Sequence, residues 1–471
     1  MSKKAPPTQI KFGYKSTLNW EGFDMELFEN LIVKSLGLQG VKLEYGITCD
    51  EDLKLVLYAR QDREQSSCHC CGSQISHVHE WKTRKIRATP IGSYEEVWVY
   101  LKQLRGNCYM CDDKVRSASI DFIHPNFENM TYSLVEKAGR LCEEITCEAT
   151  GRLLRLNPKT IWNLDQYRMK KMRPLLNYAE RSLDLEQMSA DEVHFRTIFG
   201  KKSSDKNKIK FITNLVCTKM RKVLSNAMGR KGSSLLKCLK VLTAEQLDKI
   251  KFFAIDMHDA FIDTVSSTCK NAKICVDRFH LAEGLNKVFD RVRKEEFKKA
   301  KENEDKFLMD VLQPHKRYIL VEREKNLSKR DFTKLERLLD VNQNIFMASV
   351  LVEHFHKVLD QKNVKEFRKA LILWYRYARE SKLQPFLEFA KTLRKYRGYI
   401  EGYVMSGLTT AVSEGLNNKI KVLKRMGYGY TNPESFMMKI LQRCGLLNSK
   451  YINTSSWYWP PQRRLAQTTP F

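Results

Sequence analysis

The apolar pattern changes period along the chain, and the changes mark its regions. Residues 23–35, FDMELFENLIVKS, read as a helix, and Val41–Ile47 and Leu53–Tyr58 as strands. Strict alternation returns in EEVWVYLKQLRGN, the pattern of a half-buried strand. Residues 131–170 are helical. Within them Cys147–Leu154 is a short helix and Arg155–Asn157 a tight turn. Pro158 then takes the first position of a second helix, where its missing N–H is no loss. That second helix turns Lys159, Thr160, Asn163 and Gln166 outward and keeps Ile161, Trp162 and Leu164 for packing.

From residue 188 the pattern shifts to short apolar strands. MSADEVHFRTIFG carries Asp191 on the first, and KIKFITNLVC and RKVLSNAMG supply the next two. The basic loop GKKSSDKNK joins the first pair. SSLLKCLKVLTAEQLDKI is a helix. KFFAIDMHDAF gives a strand ending at Asp256, then a helix. AKICVDRFH is one more strand, ending at Asp277 and His280. Three antiparallel-type strands, a helix, a buried strand, a helix and a strand is the ribonuclease-H-like order. In it Asp191 and Asp256 stand on adjacent central strands and point to one edge. Carboxylates there can share Mg²⁺ ions. Asp259 and Asp263 read as cap or surface residues, and Asp277 ranks below Asp256.

Residues 281–408 are helical by period, an all-helical insertion splitting the catalytic domain. Trp374, Tyr375 and Tyr377 within it read as core. The next stretch, AVSEGLNNKIKVLKRMGYGYTNPESF, has two faces. Val412, Leu416, Ile420 and Leu423 make an apolar stripe, with Glu414, Asn418, Lys421 and Arg425 opposite. That polar side offers one carboxylate for a metal and then cations for phosphates. A solvated amphipathic helix gives the same pattern. The helix ends near Gly427, Asn432-Pro433 opens another, and Gly445 stops it.

Composition adds a partner. The chain has 471 residues, too many for one ordinary domain, and a formal net charge of +27 spread along its length. Such a field suits DNA or RNA, with an anionic membrane surface as the competing partner. No apolar run is long enough to span a bilayer, and MSKKAPPTQIKFGYK lacks the apolar core of a signal peptide. A cytoplasmic, nucleoid-associated protein is expected. Its 13 cysteines are then reduced, buried or metal-bound.

Cysteine spacing adds a metal. Cys68 and Cys71 form one Cys-x-x-Cys knuckle, and Cys108 and Cys111 a second, joined by strand-like sequence. A tetrahedral zinc site draws four soft ligands from two such turns. Cys70, His77 and His79 are alternative ligands. With four ligands the site is structural. The Cys147–Leu154 and Pro158 helices downstream resemble a helix-turn-helix, whose second helix enters a major groove; a plain helical hairpin is the other reading.

Together ADEVHF, AIDMHDAF, VDRFHLAEGLNKVFDRVRK and SEGLNNKIKVLKRMGYGYTNPESF resemble the DDE transposases of the ISL-three family of bacterial insertion sequences. CHCCGS…CYMC and TCEATGRLL…TIWNL are similar to that family's zinc-binding and helix-turn-helix regions, in the same order, and the resemblance spans residues 40–445. It implies a triad of Asp191, Asp256 and Glu414 holding Mg²⁺ or Mn²⁺. On the residues alone, Asp277 and His280 read as a supporting pair, a DNA contact or an alternative part of the metal site. Two departures stand out: HFRTIFGKKSS replaces the usual basic–glycine–tyrosine run, and the second knuckle lacks the usual aromatic–glutamate. Neither removes a triad carboxylate.

The expected protein is a multidomain α+β chain. Residues 1–60 form a basic tail and small helix/strand region, 61–125 a zinc-binding domain and 126–185 a helix-turn-helix region. Residues 186–280 and 409–448 form a ribonuclease-H-like catalytic domain interrupted by the helical insertion 281–408, and 449–471 a tail, a linker or partner-binding segment. The expected function is cut-and-paste DNA transposition by a homodimer or higher oligomer on double-stranded DNA, at transposon ends and target. Lys159, Thr160 and Asn163 would contact DNA, and Lys421, Lys424 and Arg425 would position the strand. A transposase-derived DNA-binding regulator without strand transfer and a branch-specific nuclease are the alternatives.

Overall fold

The computed structural model describes residues 8–11, 25–49, 51–198, 208–314, 328–427 and 430–454. Most of the expected basic tail, the basic loop after the first catalytic strand and the last part of the C-terminal tail lie outside the described residues. The chain divides into two compact units, Met1–Leu176 with Leu446–Phe471, and Asn177–Gly445.

The first unit is built on an eight-stranded sheet. Its strands are β1 (Thr8–Lys11), β2 (Val41–Cys49), β3 (Lys54–Gln61), β4 (His77–Ala88), β5 (Glu96–Cys108), β6 (Lys114–Ser117), β7 (Ile123–His124) and β8 (Phe127–Thr131). They lie in the order β1-β2-β3-β5-β4-β8-β7, with β6 paired to β5. Alternation decides which face is buried. Leu55, Leu57 and Ala59 of β3 and Val97, Val99 and Leu101 of β5 point inward, covered by Ile32 and Leu36 of helix α1 (Met25–Leu36).

Three helices follow, α2 (Tyr132–Glu144), α3 (Cys147–Leu154) and α4 (Pro158–Met172). The boundaries are local chemistry. Thr131, Thr146 and Asn157 each cap a helix with a side-chain oxygen, and Arg155 turns the chain at φ 49°. The α3–turn–α4 boundaries agree with the sequence. Two facings do not: Gln166 is buried, and Trp162 is on the outside with Lys159 Nζ 4.3 Å above its ring. The exposed indole is covered by a cation rather than by core. Lys159 and Asn163 are exposed and Thr160 half-buried. Arg168 is buried between Glu136 and Glu143. The expected tail begins as part of this unit, since Ser449 bonds Glu143 and Thr454 bonds Glu136.

The second unit carries a five-stranded sheet of β9 (Gln187–Ile198), β10 (Lys208–Cys217), β11 (Lys222–Met228), β12 (Phe252–Ile255) and β13 (Lys273–Val276), in the order β11-β10-β9-β12-β13. The first three are antiparallel; β12 is parallel to β9 and β13 to β12. Where one helix was expected after β11 there are two, α5 (Gly232–Leu239) and α6 (Ala244–Asp248), because Thr243 forms a capping box with Gln246 and starts a new helix. Helix α7 (Asp259–Thr268) joins β12 to β13. The last strand was expected to reach His280. It stops at Val276, because Asp277 caps helix α8 (Arg278–Glu302) by accepting from Phe279 N at 2.7 Å.

The described residues up to Ser406 are then helical: α9 (Lys306–Val311), α10 (Lys329–Val341), α11 (Gln343–Leu359), α12 (Val364–Glu380) and α13 (Gln384–Ser406). Trp374 is core, as expected, and its Nε1 donates to Leu351 O at 2.8 Å; Tyr375 and Tyr377 are half-buried. Helix α13 returns the chain to the sheet, where Gly402 lies against the backbone of Ile274 in β13. Helices α14 (Ala411–Met426) and α15 (Pro433–Cys444) complete the unit, on β9 and β11.

Candidate active site

The site is made by a register. Ala254 of β12 pairs with Ser189 of β9, and β12 ends one residue later. Asp256 therefore leaves the sheet level with Asp191, which sits two residues beyond the last pair. Past that point β9 has lost its neighbour on one side, so the next side chain also reaches the opening. Carboxylate oxygens of Asp191, Glu192 and Asp256 all lie within 4.8 Å of one another.

Each of these groups has a fixed support. Helix α14 lies along β9 and presents Ser413 and Asn417 to it. Ser413 Oγ is 2.5 Å from Ser189 Oγ. Asn417 Nδ2 donates to Asp191 Oδ2 at 2.7 Å and to Glu192 O at 3.3 Å. Asp256 pairs with His280 Nε2 at 2.7 Å. Glu192 has Arg230 Nε 4.0 Å away. A cleft of about 320 Å³ opens beside them, lined among others by Glu192, Arg230, Asp256, His258, His280 and Lys287.

The electrostatics are those of a crowded anionic site. Burial and the nearby charge of Asp256 push Asp191 up to about 6. Burial and the charges of Asp191 and Asp256 push Glu192 up to about 7. The hydrogen bond to Asp256 raises His280 to about 9, so this imidazole is a cation at neutral pH. An all-oxygen donor set under this much repulsion fits a hard divalent cation such as Mg²⁺ or Mn²⁺.

The expected residues are distributed unevenly around this centre. Asp191 and Asp256 come together. Glu414 is exposed in the first turn of α14, one residue beyond Ser413, outside the carboxylate cluster found among the described residues. The expected apolar stripe of α14 is rotated: the buried face is Ser413, Asn417, Ile420 and Leu423, with Val412 and Leu416 half-buried. Two polar residues sit on that face because it meets the polar end of β9. Lys421 and Arg425 are exposed, and Lys424 Nζ reaches His194 O at 3.4 Å. Asp277 is buried and serves as a cap, also accepting from Thr410 N at 2.7 Å and from Thr410 Oγ1. Asp259 bonds Lys395 and Tyr396 and takes no part. Sequence reading passed over Glu192 and Asn417. The first follows Asp191 on a strand, where alternation assigns it to the other face. The second lay off the presumed polar side of its helix.

In the first unit Cys68, Cys71, Cys108 and Cys111 form one group of four thiols. Cys68 Sγ is 4.0 Å from Cys111 Sγ, and Cys71 Sγ 3.4 Å from Cys108 Sγ. These spans bracket the edge of roughly 3.8 Å that zinc–sulfur bonds of about 2.3 Å give a tetrahedron. Hydrogen bonds from Ser73 lower Cys71 to about 6, whereas burial pushes Cys108 up to about 12 and raises Cys111, so Cys71 is ready as a thiolate and a bound metal would have to displace the protons of the other two. Cys70 lies instead against His69, and His77 and His79 are not in the group.

Proteins of similar sequence are transposases. The profile of a transposase family, the ISL-three type of DDE enzyme, matches residues 188–440, more than half of the chain. The transposase for insertion sequence element IS1001 of Bordetella parapertussis is 26% identical over 392 residues, covering 83% of this chain and 92% of that one. The transposase for insertion sequence element IS1557 of Mycobacterium tuberculosis is 23% identical over 278 residues, covering 55% of this chain and 60% of that one. This chain belongs to the ISL-three family of DDE transposases.

Proposed function

We propose that the protein binds the terminal inverted repeats of its own insertion sequence and moves that element by cut-and-paste, with Mg²⁺ or Mn²⁺ at Asp191, Asp256 and Glu414. The observation that carries this reading is the convergence of Asp191 and Asp256 at the end of two parallel strands, with carboxylate oxygens within 4.8 Å. The second unit is read as a ribonuclease-H-like catalytic domain on its strand order. Bound divalent cations supply Lewis acidity to the entering and leaving oxygens of an in-line phosphodiester exchange.

The chain's own residues do the rest. Asn417 holds Asp191 in one orientation, and His280 holds Asp256. Glu414 is the third triad member, on the exposed flank of α14. Arg230 and Lys287 line the cleft and take phosphate oxygens; Lys421, Lys424 and Arg425 carry the strand along α14. Water cleaves the phosphodiester at the element end, freeing the element's 3′-hydroxyl and leaving a 5′-phosphate on the flank; that hydroxyl then attacks a target phosphodiester, joining the element to the target's 5′-phosphate and releasing the target strand's 3′-hydroxyl.

The four thiols of the first unit hold a structural Zn²⁺. Helices α3 and α4 act as a helix-turn-helix, with Lys159, Thr160 and Asn163 toward the DNA. Pairing two ends requires a homodimer or larger assembly, working in the cytoplasm at the nucleoid. Among the described residues no helix is long and apolar enough to cross a membrane. The test is incubation of a labelled end-containing duplex with Mg²⁺ or with EDTA. Metal-dependent cleavage at the element end supports the proposal. Tight binding without cleavage in Mg²⁺ or Mn²⁺ would move the protein to a regulatory role.

A further inference from the structure

We infer that Glu192 is a fourth acidic residue of the active centre and contacts a catalytic cation directly, an inference that rests on the proposed metal-dependent reading. The geometry points one way. Glu192 offers a carboxylate oxygen within 4.8 Å of those of both Asp191 and Asp256, which Glu414 does not in this arrangement. It also lines the cleft together with Asp256, whereas Asp191 is held from the α14 side by Asn417. Asp191 and Glu192 thus approach Asp256 from the two faces of one strand, and a cation beside Asp256 can take oxygen from each. Asn417 fixes this stretch of strand by bonding both the Asp191 carboxylate and the Glu192 carbonyl.

The competing role is structural. Arg230 Nε lies 4.0 Å from the Glu192 carboxylate, which in that role is only an ion-pair partner. That pair is long and Arg230 is 54% exposed, so its worth is small. Arg230 also stacks on Phe211, its guanidinium carbon 4.8 Å from the ring centroid, which holds it without Glu192. The guanidinium is then a stand-in that a cation displaces, leaving Arg230 to a phosphate.

The two roles separate on metal affinity. Mn²⁺ binding to the full chain is titrated by electron paramagnetic resonance for wild type, Glu192→Gln, Arg230→Gln and Asp263→Asn, the last an exposed carboxylate on α7. Thermal melts check folding, and Glu192→Asp, which keeps the charge, stands in if the amide variant fails to fold. Loss of a direct ligand weakens Mn²⁺ at least about tenfold, since even outer partners of metal ligands cost that much. Glu192→Gln is expected to show this loss, with Arg230→Gln and Asp263→Asn binding as wild type or tighter. Wild-type Mn²⁺ affinity in Glu192→Gln, or equal weakening by Arg230→Gln, would overturn the inference. If wild type cuts no DNA, the transposition reading fails while Mn²⁺ affinity still decides the place of Glu192.

Discussion

Asp277 ties Thr410 to the start of α8. One carboxylate oxygen accepts from Phe279 N at 2.7 Å, and the other from Thr410 N at 2.7 Å and from Thr410 Oγ1. Thr410 immediately precedes α14, so a single buried aspartate sets the start of the helix that carries Glu414 and Asn417 against the helix that carries His280. Asp277 is a positioning residue. Asp277→Ala strands buried donors and is expected to cost about 3 kcal/mol in urea unfolding. Thr410→Val costs about 1 kcal/mol on the same scale. The two effects should fail to add in a double-mutant cycle; strict additivity would mean the residues are not coupled.

The acidic centre sets a pH dependence. In metal-free protein Asp191 is raised to about 6 and Glu192 to about 7. Both lie above ordinary carboxylate values of about 4, so the fold keeps these protons longer than the unfolded chain does. The stability they contribute is present below about pH 4 and is lost as pH rises through those folded values. His280, raised to about 9, acts in the same direction, losing its contribution as pH rises through that value. Melting temperature in EDTA should therefore fall between pH 5 and pH 8 on account of this site. Mg²⁺ should stabilise more at pH 8, where it offsets the repulsion, than at pH 5. Equal Mg²⁺ shifts at both would count against the carboxylates as the binding groups.

Zinc is a claim about the first unit alone. Purified protein should contain about one zinc per chain, and Cys68→Ser or Cys108→Ser should remove it. Chelation should lower the melting temperature of that unit and leave Mn²⁺ binding in the second unchanged. Full stability of the zinc-free protein would show that the thiols are simply packed.

Close packing predicts a costly alanine. A Cβ at Gly402 would meet Ile274 O at 2.2 Å, on a strand backbone that cannot move aside. Gly402→Ala should destabilise by about 2 kcal/mol, although alanine is the better helix former. Gly398, one turn earlier, has no atom within 4 Å of its Cβ position, and Gly398→Ala should be neutral or stabilising. Equal behaviour of the two would contradict the close approach of α13 to β13.

Sequence carried most of the element order. Short strands with an aspartate at their ends, Pro158 and Asn157 at a helix start, and paired Cys-x-x-Cys knuckles are local signals, and the structure has each of them. What was misread depends on tertiary placement. The stripe of α14 was drawn through Val412 and Leu416, because burial is normally apolar. Here the buried face meets the polar end of β9, and Ser413 and Asn417 take it. Glu192 was hidden by strand alternation, which says nothing of where the neighbouring strand stops. The cap that Asp277 makes through Phe279 N is local but is hidden when AKICVDRFH reads as one strand, and its second partner, Thr410, is remote in sequence. Gln166 and Trp162 exchanged inside for outside because a cation above the indole makes its exposure tolerable.

The most direct test is cleavage and strand transfer of a labelled terminal-repeat duplex in Mg²⁺, comparing wild type, Asp256→Asn, Glu414→Gln and Asp277→Asn at a temperature where all four are folded. The account predicts product from wild type, loss of both steps in Asp256→Asn and Glu414→Gln, and retained product in Asp277→Asn. Wild-type rates in Asp256→Asn or Glu414→Gln, or loss in Asp277→Asn with its fold intact, would contradict the triad as assigned.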